Sequence, residues 1–495
     1  MSPPLALIVD PDLGGERLRL RLGGGEAEWA RPLLEGPPTQ PLWVGKRARF
    51  VAVEVEEAAA PVAAPGAGTA ALVLSAAAAR RLFLPPGEGL RVCLRRDPEG
   101  LRLGPVIGLL LGDGVSGDPP PLWWIERCLG PCVPVGLVYA FTLRDVDHAR
   151  AAVRGRLWAA GRLLEPQLLP LPDAVWNREE LPDRLRPLAK RLCDGRLFNE
   201  RLAWSKAEVQ AVLDGLPHVP PAVAVRLGRD AARDEAERAA ETVAGFVTRH
   251  GAAYWKPVYG SKGAGVARLT VEEGELVAAF DTPRDVETAP SAAPADADGA
   301  AGMESTATAA TEPPPTLRWR GRAAEILRRC SALAPSRAGY LVQAAVRPAV
   351  PDRPLDARLA LQRDVSGAWR ATALWGRIGA PGRITANLST GAERLAPEAL
   401  WALLGLDGAA GGRLLRDMEA GLADFAERLG ARFGACADLG FDVTFDPDGR
   451  WWLIEVNPRH DLTLFRNTTP EVWRAVACTP LEYAATLAGF GGTAG

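Results

Sequence analysis

The stretch YWKPVYGSKGAGVARL holds two lysines and three closely spaced glycines. Nearly every cation in this chain is an arginine, because lysine occurs only at Lys46, Lys190, Lys206, Lys256 and Lys262. A lysine kept in such a sequence indicates a task for a compact ammonium group, which a bulky planar guanidinium performs poorly. Lys256 precedes a proline within an apolar run, so its ammonium needs an anionic partner if it is buried. A nucleotide phosphate would be such a partner.

The glycines around Lys262 do not fit the common phosphate motifs. Gly260, Gly263 and Gly265 have the wrong spacing for GxGxxG, and a glycine follows Lys262 where GxxxxGK[ST] requires Ser or Thr. We predict a hairpin instead, with strands AYWKPV and VARLTV and the turn YGSKGAG. Glycines at its tip would allow backbone N–H groups to approach phosphates. A plain hairpin turn explains the glycines equally well.

A second chemical element is GFDVTFDPDGRWWLIEVNP, which reads as two strands around a DPDG turn. A register that pairs Phe445 with Arg450 makes Asp442 and Glu455 diagonal neighbours, about 7 to 8 Å apart between Cα atoms. Asn457 then shares their face of the sheet. Two carboxylates and an amide oxygen suit Mg²⁺ held together with substrate phosphates. The alternative is a solvated sheet face.

The composition is that of an ordinary globular chain, with 495 residues, 47% hydrophobic and 24% charged. This length suits about two to four domains. A net charge of -2 gives no basic field for nucleic acid or an anionic membrane, so we expect neither as a partner. We find no secretory signal and no run of about 20 apolar residues, and therefore expect no membrane span and a cytoplasmic location.

Elements must position these residues. Alternation in RLRLRL and VAVEVE predicts a small strand-rich domain in residues 1–110. Helical patterns increase over 111–220 and include NERLAWSKAEVQAVLDGL, with Asn199 as the predicted N-cap. Residues 281–316 contain no aromatic side chain. We predict a disordered insertion there, because such a segment buries too little apolar surface to offset its ordering.

Seven cysteines, an odd number in a large chain, indicate reduced buried thiols rather than a disulfide framework. Cys128 and Cys132 have a spacing that could serve a metal, but no second cysteine pair or histidine cluster completes a site. We expect core thiols.

Six segments together resemble one group of the ATP-grasp superfamily, the YheC/YheD-like proteins associated with the endospore coat. These segments are LRLGPVIGLLLG, LFNERLAWSK, KPVYGSKGAG, PLDARLALQRD, GRITANLSTGAE and DVTFDPDGRWWLIEVNP. The resemblance covers about residues 90–490, and the ordered set is specific although each motif alone is weak. It departs from the superfamily at Ala344 and Ala345, where an acidic residue often stands, and at Ala392, where the family motif has its second glycine.

The resemblance implies roles for individual residues. Those that would bind the nucleotide are Lys206, Lys256, Gly260, Ser261, Lys262, Gly263, Gly265, Gln343 and Asn387. The implied metal ligands are Asp442, Glu455 and Asn457, and the implied catalytic residues are Arg358, Arg377 and Lys256. Gln343 lies in the predicted hinge LVQAAV, whose backbone would read the adenine edge. The two arginines could instead form surface salt bridges, and His460 lies either at the edge of the site or on the surface.

The implied fold class is α/β (α+β), an ATP-grasp fold with two α+β subdomains that clasp the nucleotide, after a small strand-rich N-terminal domain. The implied division is an N-terminal domain in 1–110, a linking α/β region in 111–220, a nucleotide-lid subdomain in 221–345 and a C-terminal metal-binding subdomain in 346–490.

The implied activity is that of an ATP- and Mg²⁺-dependent ligase, with Mn²⁺ as an alternative metal. It would join a small-molecule or peptide carboxylate to an amine acceptor, or to a thiol, through an acyl phosphate. The resemblance also implies a link to the spore coat or cell envelope. Two alternatives stay open: an ATP-binding or structural protein without ligase turnover, and a kinase-like phosphoryl transferase.

Overall fold

The computed structural model describes residues 5–22, 37–57, 71–85, 90–112, 122–228, 232–260, 264–281, 316–388 and 391–491. Three residues of the predicted glycine loop, Ser261, Lys262 and Gly263, lie outside the described residues. The same holds for residues 282–315, nearly all of the segment predicted to be a disordered insertion.

The N-terminal strands close into a barrel with the order β1-β5-β2-β4-β3-β7-β6. In β2 the sequence alternates arginine and leucine, and Leu18 and Leu20 are buried in the barrel while Arg19 and Arg21 pair outside it with glutamates of β4. The strand-rich character predicted for the N-terminal region is confirmed. The barrel elements are β1 (Leu5–Asp10), β2 (Arg17–Leu22), β3 (Thr39–Val44), β4 (Arg47–Glu57), β5 (Ala71–Ser75), α1 (Ala76–Leu82), β6 (Arg91–Asp97) and β7 (Gly100–Gly104).

A second, mixed sheet follows, in the order β10-β11-β9-β8-β14-β15 with β12 and β13 paired to β11. The change from barrel to second sheet falls between Gly104 and Val106, and we keep the four-part domain division as a proposal. The elements are β8 (Val106–Leu110), α2 (Leu122–Leu129), β9 (Leu137–Phe141), β10 (Val146–Asp147), β11 (Ala152–Ala159), β12 (Arg162–Leu163), β13 (Gln167–Pro170), β14 (Ala174–Asn177), α3 (Arg186–Leu192), β15 (Leu197–Phe198) and α4 (Lys206–Leu213).

The third sheet has the order β16-β21-β17-β18-β19-β20. Alternation along β17 buries Ala253 and Trp255 in a core shared with helices α5 and α6, so Tyr254 and Lys256 point to the opposite face. The elements are β16 (Ala222–Val225), α5 (Arg233–His250), β17 (Ala252–Pro257), β18 (Ala267–Glu272), β19 (Glu275–Asp281), β20 (Thr316–Gly321), α6 (Ala323–Leu333) and β21 (Tyr340–Ala344). Strands β17 and β18 are antiparallel neighbours, which confirms the predicted hairpin.

The fourth sheet has the order β24-β23-β22-β25-β26. Along β22, Leu355, Ala357 and Leu359 pack against helix α8, and the alternate positions Asp356 and Arg358 face the other way. The elements are β22 (Leu355–Arg363), β23 (Trp369–Ile378), β24 (Glu393–Leu395), α7 (Pro397–Leu403), α8 (Gly408–Phe433), β25 (Asp438–Phe445), β26 (Trp451–Asn457), a 3-10 turn (Leu462–Phe465), α9 (Pro470–Ala485) and a final π turn (Thr486–Phe490).

The predicted register of the β25–β26 hairpin is wrong by one residue, since Phe445 pairs with Trp451. Asp446 and Arg450 continue the pairing, so residues 447–449 form a three-residue connection in place of the predicted four-residue turn. Asp446 N donates to Arg450 O at 2.9 Å, and Gly449 N donates to Asp446 O at 3.0 Å. Gly449 has φ 77°, as expected for a type I turn closed by a left-handed glycine.

A bulge then shifts the register again. Between Asp442 and Val443 the partner strand contains the extra residue Ile454, so Asp442 lies directly opposite Glu455 and not diagonal to it. Asp442, Glu455 and Asn457 therefore share one face, but as closer neighbours than the sequence suggested.

The predicted N-cap Asn199 is also wrong. Helix α4 begins at Lys206, and Ser205 is its N-cap in a reciprocal capping box with Glu208. Asn199 is instead buried, and its side chain bonds Asp438 O at 2.8 Å and the backbone N of Ala437 at 3.0 Å.

The cysteine prediction needs one correction. Cys132 and Cys478 form a disulfide with Cα atoms 5.6 Å apart, although 346 residues separate them in sequence. Cys132 follows α2 and Cys478 lies in α9, and only the packing of these helices brings the two together. The other cysteines, Cys93, Cys128, Cys193, Cys330 and Cys436, are buried free thiols as expected.

Among the described residues, none of the helices is long and apolar enough to cross a membrane.

Candidate functional site

A cavity of about 1350 Å³ lies between the third and fourth sheets. Tyr254, Lys256 and Gln343 line it from the third sheet, and the outward residues of β22, β23, β25 and β26 line it from the fourth. Most of the residues that the sequence predicted as a site face this cleft.

Lys256 is 7% exposed and lies on the cleft face of β17. Its Nζ donates to Gln343 Oε1 at 2.5 Å and to Ile454 O at 3.5 Å, both uncharged acceptors. Burial is the main cause that lowers the pKa of Lys256 to about 8; nearby Lys206 adds to it, and Glu455 and Asp442 oppose it. Among the described carboxylates, none forms an ion pair with Lys256, so a buried cation faces the cleft without a direct counter-charge.

Lys206 stands at the start of α4, where the capping box fixes the helix end. Its Nζ pairs with Glu455 Oε1 at 3.1 Å and donates to Gly260 O at 2.9 Å. Its backbone N donates to Val258 O at 3.1 Å. Lys206 therefore connects the start of the glycine loop to Glu455 on strand β26.

Asp442 is held by two guanidinium groups. Arg358 binds it in a bidentate pair, Nε to Oδ1 at 2.5 Å and Nη2 to Oδ2 at 2.7 Å, and Arg377 Nη2 lies 3.1 Å from Oδ1. Asn457 Nδ2 is 3.4 Å from Oδ2. Burial favours the neutral carboxyl, but the two arginines outweigh it and lower the pKa of Asp442 to about 2. The predicted arginines thus meet the predicted metal ligand, and neither lies in a surface salt bridge.

Sequence reasoning missed Asp356. Its Oδ1 accepts from Arg377 Nε at 2.5 Å, and burial raises the pKa of Asp356 to about 7 despite that arginine. The available signal was the D-x-R spacing in β22, because residues two apart in a strand share a face.

The donor set of Asp442, Glu455 and Asn457 fits a hard divalent cation, since two carboxylates and an amide oxygen suit Mg²⁺. Both carboxylates are ion-paired here, Asp442 with arginines and Glu455 with Lys206. The described residues hold no cluster of three or more Asp, Glu, His or Cys arranged for a metal. A cation at this place would therefore rely on exchange of these ion pairs and on oxygen atoms of a bound phosphate.

Around the predicted loop and hinge, Gly265 has φ 71°, and a Cβ there would overlap the side chain of Ala334, so only glycine fits. In the hinge, Ala344 N and Ala345 N already donate to Pro221 O and Ala252 O at 2.8 and 3.0 Å. Sheet bonding thus continues through Ala345, and the chain that follows lines the cleft. Asn387 also lines the cleft, from the loop after β23.

His460 is not a surface residue. It is 2% exposed, and its Nε2 lies 2.8 Å from Asp438 Oδ1. Asp438 also accepts from Gln362 Nε2 at 2.8 Å and Arg178 Nη1 at 3.1 Å. This buried network joins the second sheet to the fourth beneath the cleft.

These features define an ATP-grasp fold, with a nucleotide-sized cleft between two α+β units. The model of the YheC/D-like ATP-grasp family matches residues 234–487, which is 254 of the 495 residues. The chain belongs to this family, and the resemblance read from the sequence is confirmed.

Several solved structures are similar to the chain. D-alanyl-alanine synthetase A from Vibrio cholerae shares 12% identity at a TM-score of 0.39, over 75% of this chain and 97% of that one. The D-alanine-D-alanine ligase from Coxiella burnetii shares 11% identity at a TM-score of 0.41, over 78% and 93%. D-cycloserine synthetase DcsG shares 14% identity at a TM-score of 0.41, over 76% of this chain and 99% of that one. Among curated proteins no significant match was found.

Proposed function

We propose that this chain is an ATP- and Mg²⁺-dependent ligase that joins a carboxylate to an amine, or to a thiol, through an acyl phosphate. The observation that carries the proposal is the convergence of Lys206, Lys256, Arg358 and Arg377 on the acidic pair Asp442 and Glu455. Four cations around the three carboxylates of Asp356, Asp442 and Glu455 suit a polyphosphate with its metal.

Lys256 and Lys206 would bind the phosphates of ATP. Lys256 supports this role best, because its ammonium is buried and, among the described residues, bonded only to neutral oxygens. An anion in the cleft would give it a counter-charge and recover part of the cost of burying it. Gly260 and Gly265 would support the loop over the phosphates, together with Ser261, Lys262 and Gly263.

Adenine would lie where the bonding of β21 ends. Pro220, Val346 and Leu453 line the cleft there and provide apolar walls. The backbone beyond Ala345, whose own N–H is used in the sheet, would read the adenine edge.

Arg358 and Arg377 would stabilise the negative charge that develops as the γ-phosphoryl group moves to the substrate carboxylate. Asp442 and Asp356 hold both guanidinium groups in place, so little reorganisation is needed during the reaction. Asp442, Glu455 and Asn457 would hold Mg²⁺, which when bound neutralises charge on the phosphate oxygens. The amine would then displace phosphate from the acyl phosphate, forming the C–N bond.

A screen of amino acids, peptides and cell-wall fragments with ATP, Mg²⁺ and hydroxylamine tests this proposal. A ligase releases ADP and phosphate and yields a hydroxamate from its acid substrate. Lys256→Ala should lower the rate by about 10²-fold or more. Lys190→Ala removes an exposed lysine that pairs with Glu200, and it should leave the rate unchanged.

ADP release with a phosphorylated product and no hydroxamate would instead establish a phosphoryl transferase. Nucleotide binding without ADP release for any acid would favour a binding or structural protein.

A further inference from the structure

A second cation, Arg383, is enclosed in the wall of the cleft and has no hydrogen-bonded partner among the described residues. Arg383 lies in the loop after β23 and is 7% exposed, with its side chain at 2%. It lines the same cavity as Lys256 and Arg377. Neither the sequence motifs nor the proposed reaction gives Arg383 a role.

Its guanidinium has no hydrogen bond to any described residue, because Nε, Nη1 and Nη2 are all buried and unpartnered. Nη1 lies 3.8 Å from Asp281 Oδ1, which is beyond hydrogen-bonding range. The oxygens of Asp281 are already used by the backbone N of Ile384 at 3.0 Å and by the N and Oγ1 of Thr385 at 2.9 and 2.6 Å.

Other buried arginines of this protein are bonded. Arg358 forms a bidentate pair with Asp442, and Arg178 bonds Asp438 at 3.1 Å and His460 O at 2.8 Å. A buried guanidinium without such bonds loses its hydration and gains little in return. Arg383 keeps one long ion pair with Asp281 and no hydrogen bond to the described residues, so an anionic ligand would supply bonds that the free protein lacks.

The loop of Arg383 is fixed to both sides of the cleft. Tyr254 donates from its hydroxyl to Ile384 O at 3.2 Å, and Thr316 Oγ1 donates to Gly382 O at 3.2 Å, both from the third sheet. Arg353 Nε donates to Gly379 O at 2.8 Å at the start of the loop. Arg383 thus lies at the junction of the two sheets, in a rigid setting suited to specific recognition.

We propose that Arg383 binds a carboxylate group of the substrate. A guanidinium presents paired N–H groups in one plane and matches a carboxylate with two parallel hydrogen bonds. The phosphates of the nucleotide have their own cations in Lys206 and Lys256, so the ligand class that this residue adds is a carboxylic acid. This inference rests on the proposed ligase function.

Thermal unfolding with saturating Mg²⁺ and ADP tests the inference, because the nucleotide site is then filled. The probes are sodium acetate, succinate and L-glutamate, each compared with sodium chloride at equal ionic strength. In wild type at least one probe should raise the Tm by about 2 °C or more. Arg383→Met should abolish this rise, and without any probe it should unfold at a higher temperature than wild type.

Two control variants complete the design. Arg370→Met removes an exposed arginine paired with Asp364. It should change neither the Tm without a probe nor the rise in Tm that a probe causes. Arg178→Met breaks a buried pair with Asp438 and should lower the Tm. Arg383→Gln, which keeps a donor but no charge, replaces Arg383→Met if that variant does not fold, and it should also lose the probe effect.

The inference is overturned if no probe stabilises wild type beyond sodium chloride, or if the variant keeps the stabilisation. It is also overturned if Arg383→Met destabilises the free protein as much as Arg178→Met does. The Tm shift caused by ADP and Mg²⁺ alone is measured first, and it tests the nucleotide site separately from the carboxylate probes. If ADP itself gives no Tm shift, the nucleotide site fails, whatever the probes do.

Discussion

At the scale of single residues, the cleft contains cations in two states. Arg358 and Arg377 are neutralised by Asp442 and Asp356, while Lys256 bonds only neutral oxygens. In the proposed reaction the paired arginines would be held in place to stabilise developing charge, whereas the unpaired lysine would be available for an anionic ligand. This difference supports separate roles for the arginines and the lysine.

The lowered pKa of Lys256, about 8 in the free protein, predicts a proton linkage. A bound phosphate favours the ammonium and raises this pKa, so above about pH 8 nucleotide binding takes up a proton. Affinity should therefore fall as pH rises above about 8, by up to about tenfold per unit, and stay level below it. Calorimetry in two buffers of different protonation enthalpy, at about pH 7 and about pH 9.5, measures both effects.

Lys256→Met is the matched variant, since it keeps the side-chain length and removes the charge. It should bind nucleotide more weakly and without the proton uptake. Unchanged wild-type affinity up to about pH 9.5, or uptake that persists in Lys256→Met, would contradict the assignment.

Residue types alone predicted Lys256, Asp442 and Glu455 because a rare lysine and closely spaced acids stand out in a sequence. They did not predict Asp356 or Arg383. The sequence has 60 acidic and 58 basic residues, and nothing in it distinguishes the few that are buried. The burial of Asp356 and Arg383 follows from the packing of two sheets.

At the scale of elements, period-two alternation was the reliable guide. It predicted the strands of the N-terminal region and the shared face of Asp442 and Glu455, whereas the β17–β18 hairpin was predicted by excluding the common phosphate motifs. The exact register failed because a glycine-closed turn and a bulge at Ile454 each shift the pairing by one residue. The start of α4 was missed because two candidate caps, Asn199 and Ser205, stand in the same segment, and tertiary bonds take the first.

The hairpin turn yields a prediction with an internal contrast. Gly449 has φ 77° and open space around a Cβ, so Gly449→Ala should destabilise by about 1 kcal/mol through backbone strain alone. Gly412 lies within helix α8, where an added Cβ would meet only Arg416 Nη1 at 3.7 Å. Gly412→Ala should therefore stabilise by about 0.5 to 1 kcal/mol.

Chemical denaturation of both variants beside wild type provides the measurement. The two glycine-to-alanine substitutions should change the free energy of unfolding in opposite directions. Equal effects at the two positions would show that the backbone of the hairpin differs from this description.

At the scale of the whole molecule, the described part of the chain forms four sheets in succession, and the candidate site lies between the last two. The fold class could be predicted because six segments of the sequence resemble family motifs and occur in the family's order. The contacts between α2 and α9 could not, since nothing local links residues so distant in the chain. The Cys132–Cys478 bond is the clearest example.

This bond predicts a thiol count. Protein purified without reductant and unfolded in denaturant should titrate five thiols, because two of the seven cysteines are joined. After reduction all seven should react. Cys132→Ser with Cys478→Ser should show five under both conditions, and seven thiols in unreduced wild type would contradict the pairing.

Under the proposed function, the cleft between the third and fourth sheets binds ATP with Mg²⁺. Calorimetry of Mg²⁺-dependent ATP binding tests it most directly, with wild type, Lys256→Ala, Glu455→Ala and the surface control Lys190→Ala. We predict binding in about the micromolar range for wild type and the control, weakened about tenfold or more in the two cleft variants. Absence of nucleotide binding in wild type, or equal affinity in all four proteins, would contradict the claim.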